Sequence, residues 1–146
     1  EKLKKGSEIF QIWFDPNLHE SLYEEANYSD YKSEIFLVKK EDGKETNIIS
    51  DINNQIDLKS DSIQIYQHSF TKGTYDHEIG QDRFHSIFIQ YGRLKINDQT
   101  FNSGDFLIVE SEVSLSVEIL SDTKVFEIIS PTELPYKTYA EMHNIS

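Results

Sequence analysis

Val113-Ser114-Leu115-Ser116-Val117-Glu118-Ile119 sets an apolar residue at every second position and a polar one between each pair. Successive side chains of an extended chain point to opposite faces, so this run reads as a strand with one buried and one wetted face. The same period of two recurs outward from it, in residues 34–39, 62–70, 84–91, 92–97, 106–109 and 124–129. Glu41-Asp42-Gly43-Lys44 carries a turn signal, and Asn97-Asp98 supplies two residue types that tolerate the left-handed backbone of a two-residue hairpin. Many short strands at close spacing predict an all-β sandwich or barrel. Only residues 18–28 and the tail from 136 to 144 look helical, and both are short.

The composition bounds what such a barrel does. The 146 residues are 37% hydrophobic and 12% aromatic, enough for one domain with a true core. Lys plus Arg is 14 against 26 Asp plus Glu, a net charge of −12 that repels nucleic acid and anionic membranes. With no cysteine there is no disulfide, thiolate zinc site, iron–sulfur cluster or cysteine nucleophile. No apolar run reaches the roughly 18 residues of a membrane span, and Glu1–Gly6 lacks the apolar core of a signal peptide. The expectation is a soluble, cytoplasmic protein. A start at Glu1 rather than Met reads as a piece cut from something longer.

Gly73, Ile79, Gln81, His85 and Gly92 are spaced as the first motif of the cupins, and Ser103-Gly104-Asp105 stands where their second motif begins. The chain therefore resembles a cupin, an RmlC-like jelly-roll β-barrel, here with a short N-terminal arm and a short C-terminal helix. In metal-binding cupins these motifs supply three His and one Glu. The corresponding slots here read Ile79, Gln81, His85 and Leu115, so the resemblance implies no metal and no cofactor. Phe10-Gln11-Ile12-Trp13-Phe14-Asp15-Pro16, followed by Tyr23-Glu24-Glu25, is similar to the stretch that joins the two barrels of pirin-like proteins, with Glu25 where Gln is usual. That resemblance implies an arm or linker over residues 1–33 and a C-terminal cupin barrel over 34–146. Any quercetin-dioxygenase-like activity would then reside in a missing N-terminal half.

The chain is thus read as a non-catalytic, metal-free cupin domain, structural or small-molecule-binding. One rival is a metal-dependent cupin enzyme using His77 and His85, which share the barrel mouth only if the segment containing Gly80 folds back. A second is a stand-alone regulatory or sugar-binding cupin. Ile79 and Leu115 are expected to fill the barrel interior, giving an apolar pocket. Tyr66, His77, Gln81, His85 and Tyr91 are the candidate pocket residues, donors and acceptors around an apolar floor. His19 and His68 read as surface residues. No Gly-x-Ser-x-Gly elbow or phosphate-binding glycine pattern is present. Phe10, Ile12, Trp13 and Phe14 form an apolar arm whose own barrel is missing. They are expected to lie over the remaining barrel, to exchange with a second copy in a homodimer, or to dock on an N-terminal half.

Overall fold

The computed structural model describes residues 5, 6, 9, 11–26, 28–52, 56, 58, 60, 63–110 and 112–143. A helical turn, α1 (Leu18–Ser21), precedes eight strands: β1 (Leu37–Glu41), β2 (Lys44–Ser50), β3 (Gln64–Phe70), β4 (Gly73–Glu78), β5 (Arg83–Ile96), β6 (Gln99–Asn102), β7 (Phe106–Glu110) and β8 (Ser114–Pro131). A second helical turn, α2 (Tyr139–Met142), follows. Every strand pairing is antiparallel.

Two long strands organise the barrel. The first part of β8 pairs with β4 on one side and with the end of β5 on the other, through Ile119↔Leu94 and Val117↔Ile96. From Thr123 onward β8 pairs instead with β3 and with the start of β5. The register slips between Ile89 and Leu94, at a bulge that holds Gly92 at φ +93°. Thr123, fully buried, fixes this bend: its hydroxyl accepts from the Arg93 N–H at 3.0 Å and donates to the Ser121 carbonyl at 2.7 Å. Extra twist at the bulge folds the sheet over on itself. Ile87, Ile89, Leu94, Leu107, Ile119 and Val125 close the interior, with Phe70, Tyr75, Ile96, Phe101, Val109 and Val117 packed against them. Burying each such side chain contributes roughly 1.5–3 kcal/mol.

The all-β expectation holds, and so does the hairpin at Asn97-Asp98, where Asn97 takes φ +52° between β5 and β6. Several elements differ. Residues 33–35 form a 3₁₀ turn and the strand begins only at Leu37, because all five β1 residues are exposed and no buried face dictates their phase. Strands β2 and β4 escaped the sequence reading: their inward residues include Thr46 and His77, so the buried face carries little apolar alternation. The expected helix over 18–28 shrinks to four residues capped by Asn17, with none of them buried. The tail keeps one turn, held by a reciprocal Thr138–Glu141 capping box.

Among its described residues the arm forms no strand. Residues 11–17 carry no regular structure and are tied to their own chain through Asp15, which accepts from the Tyr136 hydroxyl and the Tyr139 N–H. Ile12 and Phe14 are half-buried against the single chain, while Trp13 is 84% exposed on it. Phe10 lies outside the described residues. Among the described residues no helix is long and apolar enough to cross a membrane.

Candidate metal centre

Glu127 sits in the inward phase of β8 with Val125 and Ile129, opposite Tyr66 of β3 and Ile87 of β5, and only 1% of it is exposed. An ionised carboxylate in that position is costly unless it is fully hydrogen-bonded. Three histidines meet this demand. His68 Nε2 reaches Oε2 at 2.8 Å, while His77 Nε2 and His85 Nδ1 share Oε1 at 2.6 and 2.7 Å. Their strands differ: His68 comes from β3, His85 from the start of β5 and His77 from β4, across the fold of the sheet.

Two of the imidazoles are oriented by their other nitrogen. His68 Nδ1 lies 2.8 Å from the Thr46 hydroxyl of β2, and His85 Nε2 lies 2.7 Å from the Ile79 carbonyl. A carbonyl only accepts, so His85 Nε2 must carry a proton. Burial alone would raise Glu127, but the hydrogen bonds from His68, His77 and His85 hold it well below the usual carboxylate range. Burial pushes His68 down, against the pull of Glu127. The ligating atoms of His77, His85 and Glu127 lie within 4.8 Å of one another.

The turn after β4 makes this convergence possible. Gly80, at φ +86°, reverses the chain so that His77 and His85 both face inward, their ring centroids 5.5 Å apart. Ile79 and Leu115, at two of the positions spaced as cupin ligand slots, are buried apolar residues as expected. Leu115 is the strand partner of His77, and Ile79 serves His85 through its backbone. A cleft of about 540 Å³ opens onto the cluster, lined by Lys39, Lys44, Asp51, Tyr66, His68 and His77 among others. Burial, Asp51 and Glu127 together raise Tyr66, which keeps its hydroxyl protonated as a donor at the rim. Beneath the histidines a chamber of about 30 Å³, room for one water, is lined by Phe70, Ile87, Leu94, Ile96, Leu107 and Val125.

Of the expected pocket residues, the structure brings together Tyr66, His77 and His85. Gln81 is exposed in the turn after Gly80, and Tyr91 is 51% exposed at the bulge, beside Asp122 on the outer side. Both fall outside the site because the turn and the bulge rotate them away from the inward phase. His68 is not a surface residue; it is 4% exposed and in the cluster. Glu127 was not singled out at all. The signal was available, since His68 alternates in phase with Tyr66 and Phe70, and Glu127 with Val125 and Ile129.

No protein-family model matches the sequence, and no curated protein matches it. Solved structures do. Ectoine synthase from P. lautus aligns with a TM-score of 0.58 at 10% identity, over 80% of this chain and 85% of that one. KdgF from Halomonas sp. aligns with a TM-score of 0.56 at 12% identity, over 73% and 96%. An RmlC-like cupin from Shewanella frigidimarina aligns with a TM-score of 0.55 at 14% identity, over 72% and 92%. At such identities the likeness shows the fold, a cupin jelly roll, and leaves the activity to be argued from the site.

Proposed function

We propose that this cupin-fold chain binds one divalent transition-metal ion through His77, His85 and Glu127, with His68 holding the second carboxylate oxygen in place, and offers it to a small molecule entering the cleft. The observation that carries the reading is the convergence of three imidazoles and one carboxylate from four strands. The donor set fits: imidazole and carboxylate suit zinc, iron, nickel, copper and manganese. Ligands at about 2.1 Å from a common ion stand about 3 Å apart when adjacent. The distances of 2.6 and 2.7 Å from Glu127 to His77 and His85 lie close to that spacing. Metal-bound histidines commonly donate their second N–H to a hydroxyl or carbonyl, the role that the Ile79 carbonyl fills for His85. A bound ion would supply Lewis acidity to an oxygen of the ligand. The chain's own part is to orient that ligand, with Tyr66 donating from the rim and the apolar chamber limiting water below.

This reading revises the metal-free expectation, because His77 and Glu127, from outside the motif slots, join His85 as donors. A second reading has its own observation. Among the described residues every buried side-chain nitrogen and oxygen has a partner without any metal, so the cluster also stands as a polar core. The chain is then a metal-free binding or structural barrel, in line with the pirin-like arm Gln11-Ile12-Trp13.

Metal content decides between them. The purified chain, loaded with zinc, nickel or manganese and desalted, is expected to hold close to one ion by mass spectrometry. The His77→Ala variant removes a half-buried donor with a single hydrogen bond and is expected to lose the ion while staying folded. Wild-type chain that emerges empty from all three metals would leave the metal-free reading in place.

A further inference from the structure

Lys44 faces the barrel interior, and the metal reading leaves it unused. In β2, Lys44 and Ile48 share the phase that carries Thr46 onto His68, while Glu45 and Asn47 take the other face. Its Nζ stands 5.5 Å from the Phe70 ring centroid. The side chain lines both the apolar chamber and the cleft, beside His68, His77 and Glu127. The other lysine of the cleft, Lys39, is engaged by Glu41 at 2.9 Å. Among the described residues Lys44 forms no ion pair.

The remaining charges at the cleft are acidic. Asp76 and Glu78 flank His77 in β4 and therefore take the opposite face of the strand, at the rim. Asp51 stands near Tyr66. A divalent ion bound by Glu127 leaves one positive charge over, and Lys44 adds a second on the inner surface, where low dielectric strengthens both.

Resting on the metal reading, we infer that the cleft takes a small organic acid, its carboxylate paired with Lys44 and a second oxygen turned to the His77–His85–Glu127 centre. Lys44 is then a positioning residue that selects the charge of the ligand. A neutral compound of the same shape gains the metal contact and forgoes a charge-assisted hydrogen bond in a partly dry site.

Pyruvate and levulinate, which separate carboxylate and ketone by different lengths, are titrated into metal-loaded chain and compared with their methyl esters. At least one acid is expected to bind roughly tenfold or more tightly than its ester. Lys44→Met keeps the side chain's length over Phe70 and is expected to abolish that preference with metal content and melting temperature unchanged. Lys44→Arg should retain part of it. Acids that bind no better than their esters, no detectable binding of either acid, or a preference that survives in Lys44→Met would overturn the inference. Failure of the underlying metal reading shows itself separately, as wild-type chain without bound ion before any acid is added, and it would remove this inference too.

Discussion

His85 is placed between two acceptors, the Glu127 carboxylate at 2.7 Å and the Ile79 carbonyl at 2.7 Å. With Glu127 ionised and no metal, both contacts are hydrogen bonds only when hydrogen sits on both ring nitrogens. His68 Nε2 and His77 Nε2 also face Glu127, and the Thr46 hydroxyl turns to suit His68. A metal ion held by the cluster would take the place of the Nδ1 hydrogen of His85 and would leave the Nε2–H on the Ile79 carbonyl. Metal binding is therefore expected to release about one proton per ion, which calorimetry in buffers of different ionisation enthalpy reads directly. Release of no proton would mean that the cluster holds a different protonation state. Breaking the cluster is costly in the metal-free chain: Glu127→Gln is expected to lose about 1–3 kcal/mol in urea unfolding, since the amide offers one acceptor oxygen where the carboxylate offers the three imidazoles two. At this scale the sequence was partly legible. His85 stands at a slot of the motif spacing, but the remaining donors lie outside the motif slots, and matching slots to letters could not find a carboxylate on the last strand.

Strands with an apolar inner face, β3, β5, β7 and β8, could be read from alternation, whereas β2 and β4 could not, because the residues they turn inward include Lys44, Thr46 and His77. The polar site thus hid the very strands that build it. The continuity of β5 and β8 was also hidden: Gly92 and the Ser121–Thr123 segment look like strand breaks, yet they are the bend through which both strands pass between the two parts of the sheet. At Gly92 a Cβ would meet the Asp122 carbonyl and lie 2.6 Å from the Thr123 Cα, on a backbone at φ +93°. Gly104 shares that φ and has nothing within 4 Å. Gly104→Ala is expected to cost about 1–2 kcal/mol from backbone strain alone. Gly92→Ala adds overpacking and should cost about 2–5 kcal/mol. Equal losses in chemical unfolding would show that the bend is not tightly packed.

Over the whole molecule, the net charge of −12 and the buried cluster respond to acid in opposite directions. Protonating surface carboxylates relieves self-repulsion as the pH falls toward the isoelectric point near 4.7. His68 acts the other way. Its folded pKa is depressed below 6.5, so between that value and the folded one the unfolded chain binds the extra proton, and stability falls with falling pH. Glu127, also depressed, contributes stability that is present above 4.5 and lost as the pH drops through its folded value. A single melting curve mixes these effects. The difference between wild type and His68→Gln separates them, since the surface term is common to both chains and glutamine can still donate to Glu127. Measured without metal from pH 7.5 to 5, wild type is expected to lose stability relative to His68→Gln, beginning near pH 6.5. A difference that stays flat would mean that His68 takes up its proton in the fold as readily as in the open chain, and the neutral tautomer bridging Thr46 and Glu127 would have to be abandoned.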